Sequence, residues 1–173
     1  MIIVLIGYMG SGKSTIGKEL ATVLDYGFLD LDDYISDKEN ASIPEIFKKK
    51  GEIYFRKKET EYLSEVISTS ENLVLALGGG TPCYGNNMDL INDKANLISI
   101  YLKLSIPLLA KRLFQERANR PLISHINSET DLLEFIGKHL FERSPYYSKS
   151  QFTLNTDHKT KQEIIESLLV HLI

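Results

Sequence analysis

Eight consecutive residues, Gly7-Tyr8-Met9-Gly10-Ser11-Gly12-Lys13-Ser14, fit the pattern G-x-x-x-x-G-K-[ST]. Glycines at 7, 10 and 12 open backbone conformations closed to other residues, so successive amides can converge on an anion. A helix starting at Lys13 adds its positive N-terminal end. In such a loop the lysine reaches the outer phosphates of a nucleoside triphosphate, and the hydroxyl of Ser14 offers an oxygen to magnesium. A glycine-rich strand–helix turn without a ligand is the competing reading. The preceding apolar run and the following amphipathic stretch favour the phosphate site.

Asp30 and Asp32 lie two residues apart at the end of a second apolar run, so an extended chain puts both on one face. One carboxylate can hold magnesium through water, and the other can receive a proton or hydrogen bond from an acceptor hydroxyl. Helix capping by Asp32 or Asp33 ahead of Tyr34-Ile35 is the alternative. The third apolar run ends Leu77-Gly78 without an acidic residue, which leaves Asp30 as the nearest carboxylate for a metal.

Charged residues on apolar faces are the next signal. Phe55, Tyr62, Leu63, Val66 and Ile67 share an arc of the helical stretch 52–69, and Arg56 and Glu59 fall inside it. Spaced three apart they can pair, with Glu59 holding the guanidinium while its free edge forks onto a carboxylate. A structural ion pair is the other reading. Arg143 repeats the pattern on the stripe Ile136, Leu140, Tyr147; a side chain snorkelling from a helix end would look the same. Gly78-Gly79-Gly80 gives a ligand access to backbone at the binding edge, or is a plain turn. Arg120-Pro121 sits in the polar, weakly patterned stretch 118–129, where a mobile arginine can swing onto a transferring phosphate. Arg112 and Arg117 stand near the end of the preceding helix. His125, His139, His158 and His171 show no metal spacing and read as surface residues. Lys48-Lys49-Lys50 reads as a solvated helix end.

These residues need a frame to carry them. Apolar runs at 2–6, 28–31, 73–77, 97–102 and 152–154 read as strands. Helical periodicity covers 13–24, 43–50, 52–69, 107–117, 129–147 and 160–172. Strands alternating with helices imply a parallel sheet covered on both faces, a three-layer α/β/α domain. At 173 residues the chain has room for one core and not for two ordinary domains, so 1–173 is expected to be a single domain. Fifteen lysines and five arginines against 23 acidic residues give a charge of -3, which argues against a broad nucleic-acid footprint. One cysteine, Cys83, fits a reducing compartment. No apolar segment reaches membrane-spanning length, and the first strand begins almost at Met1, so a cytoplasmic protein is expected.

Taken in order, the phosphate loop with Thr15-Ile16-Gly17, Phe28-Leu29-Asp30-Leu31-Asp32, Phe55-Arg56 with Glu59, Gly78-Gly79-Gly80, Arg120-Pro121-Leu122 and Arg143-Ser144-Pro145-Tyr146-Tyr147 resemble the shikimate kinase family, small P-loop kinases of the nucleoside-monophosphate-kinase fold. The resemblance runs essentially end to end. It implies a five-stranded parallel sheet in order 2-3-1-4-5, a substrate-binding region over 32–66 and a mobile lid over 112–124. It implies transfer of the ATP γ-phosphoryl to the 3-hydroxyl of shikimate, on the way to chorismate and the aromatic amino acids, by a monomer that engages neither nucleic acid nor membrane. By that resemblance Asp32 binds shikimate and orients or deprotonates its hydroxyl. Arg56 and Arg143 grip the carboxylate, Glu59 orients Arg56, and Gly78, Gly79 and Gly80 line the pocket. Gly10, Ser11, Gly12, Lys13, Ser14 and Thr15 hold ATP, Lys13 and Arg120 stabilise the transferring group, and Arg112 lies against adenine, with Arg117 as its rival. Ser14 and Asp30 hold Mg2+. The loop Asn155–Lys159 lacks the proline that often covers adenine in this family, and Thr81-Pro82-Cys83 carries no assigned role. A gluconate or nucleoside-monophosphate kinase, or a nucleotide-binding switch without turnover, are the other readings.

Overall fold

Strand β1 (Ile2–Ile6) is buried at every position because each side of it faces a core. Ile2, Val4 and Ile6 join one apolar cluster; Ile3 and Leu5 join the other. In this computed structural model, which describes residues 1–172, β1 is the centre of a five-stranded sheet. The final residue of the expected 1–173 domain lies outside the described residues. The strand order is β2 (Gly27–Asp30), β3 (Leu73–Ala76), β1, β4 (Leu97–Lys103), β5 (Phe152–Asn155), all parallel. Ile2 of β1 is in register with Leu73 on one side and Leu97 on the other. Successive strands therefore depart to opposite sides of β1, and the crevice at its carboxyl end is where such sheets bind ligands.

Helices α1 (Lys13–Leu24) and α7 (Lys161–Leu172) cover the Ile3/Leu5 face. The other face is covered by α2 (Leu31–Glu39), α3 (Ile43–Thr69), α4 (Asn87–Asn92), α5 (Ile106–Glu116) and α6 (Glu129–Tyr147). The sheet order and the layering are those the resemblance implies. Among the described residues no helix is long and apolar enough to cross a membrane.

Several elements differ from the sequence reading, among them the short α4, which it does not contain. Helix α2 is absent from the periodicity because it buries only Leu31 and Ile35. The two helical stretches expected at 43–50 and 52–69 are one element, α3, broken where expected: Gly51 sits at φ 84°, outside helical space. Lys50 is not merely solvated at that break. Its ammonium meets Glu39 Oε2 at 3.0 Å, and the same carboxylate accepts the hydroxyls of Tyr54 and Tyr62, each at 2.7 Å. Those tyrosine hydrogen bonds, helped by Lys50, hold Glu39 down at about 2 and clamp α2 to both arms of α3. Helix α6 continues through Pro145, which lies in its last turn, where the missing N–H forfeits one hydrogen bond close to the helix end. The polar stretch after α5 is less free than its composition suggests: Ile123 and Ile126 are buried in the core.

Candidate active site

The phosphate loop follows β1 and ends in α1, as its spacing requires. Gly10 and Gly12 take φ values of 77° and 94°, the left-handed region where a side chain is strained. Lys13 Nζ donates to the carbonyls of Gly7 at 2.8 Å and Tyr8 at 3.0 Å. Burial pulls its ammonium down to about 8, and Asp32 and Asp30 oppose that shift. At neutral pH it stays mostly charged. The Ser11 hydroxyl is buried with no hydrogen-bond partner; it lies behind the loop, 2.7 Å from where a Gly7 Cβ would stand, and does not line the cleft.

Asp30 ends β2 and does two jobs. Its Oδ1 accepts the Asp32 N–H at 3.0 Å, making Asp30 the N-cap of α2. The cap is thus neither Asp32 nor Asp33: the chain leaves β2 at Asp30, so Asp32 already lies in the first helical turn. Its Oδ2 accepts the Ser14 hydroxyl at 2.7 Å. Among the described residues no three His, Cys, Asp or Glu side chains gather as a metal cage. A hydroxyl beside a carboxylate suits magnesium, which prefers oxygen donors and completes its shell with water and phosphates.

The side of the cleft facing the phosphate loop is organised by the triple glycine after β3, and each glycine backs a different charged group. A Cβ at Gly78 would stand 2.8 Å from Asp32 Oδ1; at Gly79, 3.2 Å from Arg143 Nη1; at Gly80, 2.7 Å from Arg56 Nη2. One carboxylate and two guanidiniums from α2, α6 and α3 therefore converge on three consecutive residues of bare backbone. Asp32 is pushed up to about 6, first by burial and then by the neighbouring Asp30 and Glu59 charges. Arg56 Nη1 donates to Glu59 Oε2 at 2.7 Å, and Glu59 is fully buried.

A cleft of about 550 Å³ joins the two sides, lined by Lys13, Ser14, Thr15, Asp30, Asp32, Gly78, Gly79, Arg112 and Arg120. Arg112 donates to the Gly10 carbonyl at 3.2 Å. Its rival Arg117 is engaged elsewhere, with Nη1 on the Phe114 carbonyl at 2.6 Å and its guanidinium 3.9 Å above the Phe114 ring. Arg120 borders the cleft in a two-pronged pair with Glu116, at 2.7 and 3.1 Å.

Several supporting contacts have no signal in the sequence. Thr81 donates to Glu59 Oε1 at 2.6 Å, and Asn87 Nδ2 holds the Thr81 carbonyl at 2.9 Å. Tyr147 donates to the Gly79 carbonyl at 2.6 Å. His139 is not a surface residue: its Nδ1 lies 2.9 Å from the Tyr8 hydroxyl, joining α6 to the phosphate loop one turn before Arg143. Burial lifts the Tyr8 phenol to about 12, so it stays a hydrogen-bond donor. The stripe Ile136, Leu140, Tyr147 foretells that α6 packs inward, yet nothing in it points to a partner for His139.

The family model described as shikimate kinase matches residues 9–173. A shikimate kinase of Flavobacterium johnsoniae is 47% identical over 167 residues, covering 96% of each chain. The crystal structure of shikimate kinase from Bacteroides thetaiotaomicron superposes with a TM-score of 0.90 at 33% identity, covering 99% of this chain and 98% of that one. That of Acinetobacter baumannii shikimate kinase in complex with shikimate gives 0.85 at 34% identity, covering 99% and 92%.

Proposed function

Given that the chain belongs to the shikimate kinase family, we propose a division of labour among its residues for the family reaction, ATP-dependent phosphorylation of the shikimate 3-hydroxyl to shikimate 3-phosphate in aromatic amino acid biosynthesis. The observation that carries it is the convergence of Asp32, Arg143 and Arg56 on Gly78, Gly79 and Gly80, across a cleft from the phosphate loop. A carboxylate-bearing alcohol is the ligand this arrangement fits. Two arginines take the carboxylate as a fork, and Asp32 takes the hydroxyl.

Gly10 to Thr15 receive the phosphates of ATP, with Arg112 at the nucleoside end. Asp32, its pKa raised to about 6, is ionised at neutral pH and basic enough to accept the hydroxyl proton. The acceptor oxygen then bonds to the γ-phosphorus as the bridging bond to ADP breaks. Lys13 and Arg120 face the charge that develops on the transferring group. Ser14 and Asp30 would hold Mg2+, which when bound neutralises phosphate charge. Residues 32–66 form the acceptor-binding region, and 112–124 a lid that turns Arg120 from Glu116 toward phosphate and excludes water. No step of this reading calls on a second subunit, and it is proposed for a monomer. The net charge of -3 argues against a broad nucleic-acid footprint, and the partners proposed are the small molecules ATP and shikimate. A single free cysteine supports the cytoplasm.

The test is coupled ADP release with ATP and magnesium across shikimate, quinate, gluconate and nucleoside monophosphates. Turnover is expected with shikimate above all others. Equal slow hydrolysis with every acceptor would overturn the assignment.

A further inference from the structure

The segment Thr81–Asn87 is built around one guanidinium. On one side, the Arg56 Nη1–Glu59 bond is backed by Thr81, which is tied to Asn87, and Asn87 Oδ1 accepts the Thr60 hydroxyl at 2.8 Å. On another, the ring of Tyr84 lies 3.9 Å from Arg56 Cζ. The Tyr84 hydroxyl donates to Glu52 Oε1 at 2.8 Å, and that carboxylate oxygen stands 3.8 Å from Arg56 Nε. Arg56 Nε itself is buried with no hydrogen-bond partner.

A single bond from Nη1 to Glu59 fixes one atom of the guanidinium. The plane can still turn about that contact, and recognition of a carboxylate by two parallel hydrogen bonds needs the plane. An aromatic ring against the guanidinium face removes that rotation and adds cation–π attraction. Tethered to Glu52, the ring is itself held in place. Glu52 and Tyr84 are exposed side chains, so their contacts with each other have no evident purpose other than Arg56.

We propose that Tyr84 is a positioning residue for the acceptor carboxylate, setting the plane in which Arg56 presents its fork, with Glu52 orienting Tyr84. This rests on the assignment of Arg56 to the shikimate carboxylate and extends it to a residue outside the binding cleft. The ring does not touch the nucleotide side, so its effect is confined to the acceptor.

The experiment compares Tyr84→Ala, Tyr84→Leu and Tyr84→Phe with the parent enzyme by steady-state kinetics, using shikimate and its methyl ester as acceptors. Thermal melts confirm that each variant folds. Tyr84→Ala should raise the KM for shikimate roughly three- to thirtyfold, the range of a partly desolvated cation–π contact. The KM for ATP should stay unchanged and kcat should stay within about twofold. Tyr84→Leu keeps apolar bulk without a π face and should resemble Tyr84→Ala. Tyr84→Phe keeps the stack and should recover most of the affinity. The KM for the ester, whose group accepts no charge-assisted fork, should not respond to any of them. A shikimate KM for Tyr84→Ala within twofold of the parent, a parallel rise for ATP or the ester, or full function in Tyr84→Leu would overturn the proposal. Failure of the parent enzyme to phosphorylate shikimate would instead overturn the underlying reading, so the two failures are distinct.

Discussion

Gly80→Ala tests the acceptor site with one added methyl group. Gly80 sits at φ -89° and ψ -19°, a conformation that alanine adopts freely, so the substitution changes space and not backbone strain. The new Cβ would lie 2.7, 2.9 and 3.1 Å from Nη2, Nη1 and Cζ of Arg56. Ordinary contact begins at about 3.5 Å, so the whole guanidinium must withdraw by roughly half an ångström or more. It has little room to retreat. Nη1 is bonded to Glu59 at 2.7 Å, and Tyr84 stands 3.9 Å from Cζ. Any withdrawal lengthens the Glu59 bond or turns the fork away from its ligand. Losing one charge-assisted hydrogen bond costs about 1.5–3 kcal/mol, a rise of roughly ten- to 150-fold in the Kd for shikimate. ATP binding should be untouched, because the contacts of Arg56 are with Glu59, Tyr84 and the Gly80 backbone position and with no residue of the phosphate loop. Isothermal titration of Gly80→Ala with shikimate and, separately, with ATP measures both. Gly137→Ala is the control, since no atom lies within 4 Å of its Cβ position. A shikimate affinity in Gly80→Ala within twofold of the parent would refute the placement of Arg56 against this backbone.

Gly78→Ala should act on turnover instead, because its Cβ would press on Asp32 Oδ1 at 2.8 Å; a fall in kcat exceeding the rise in shikimate KM is the expected split, read from initial rates. Asp32 has its folded pKa raised to about 6, so kcat/KM should fall on the acid side with a midpoint near that value. The same raised pKa means the folded state binds the extra proton, so Asp32 lowers stability as pH climbs from about 4 through 6. Asp32→Asn should therefore melt above the parent at neutral pH while losing on the order of 100-fold or more in kcat; a lower melting temperature would contradict the burial argument. Glu39 has the opposite sign: held at about 2, it contributes stability that is complete above about pH 4.5 and drains away as pH falls toward 2. Glu39→Gln should melt lower at neutral pH and show a shallower acid loss by circular dichroism. Tyr8→Phe removes the bond to His139 and should cost about 1 kcal/mol, a melting shift of roughly 2–4 °C. His139→Ala in that background should add little more from the same bond, and full additivity in the double variant would show that the pair does not interact.

The sheet was legible because burial on both faces writes itself as uninterrupted apolar residues, as in Ile2–Ile6 and Leu73–Leu77. The phosphate loop was legible because its spacing admits few other uses. Arg56, Glu59 and Arg143 stood out because a charge on an apolar face conflicts with the pattern around it. What stayed hidden obeys no periodicity. Helix α2 buries two side chains, too few to mark a face, and so the strand reading ran one residue past Asp30. Capping then fell to Asp30 and not to the residues after it. The contacts of Thr81, Tyr84 and Asn87 join residues whose partners lie more than twenty positions away in α3. Short polar residues in a turn look alike in sequence whether they face water or a buried carboxylate. The Tyr8–His139 bond spans 131 positions, and each partner alone has an ordinary reading.

A chain of net charge -3 that binds two anions must concentrate its positive charge, and the division between lysine and arginine describes how. Most lysines lie on exposed surface. Lys13 is the desolvated exception, held by two loop carbonyls. Four of the five arginines touch a defined partner: Arg56 meets Glu59 and Tyr84, Arg112 the Gly10 carbonyl, Arg117 the Phe114 carbonyl and ring, and Arg120 Glu116; Arg143 lies with its guanidinium 5.8 Å from the Tyr8 ring centroid, beside Gly79. Four of the five border the proposed substrates, and Arg117 instead stabilises the end of the helix that carries Arg112. Planar guanidinium suits this use because its orientation can be fixed by neighbours before a ligand arrives, whereas an ammonium on a flexible stem is a point charge. The surrounding carboxylates, Glu59 and Glu116, do not cancel the site. They hold the arginines in geometry and lower the cost of gathering like charges, so an acidic protein can keep a local cationic pocket.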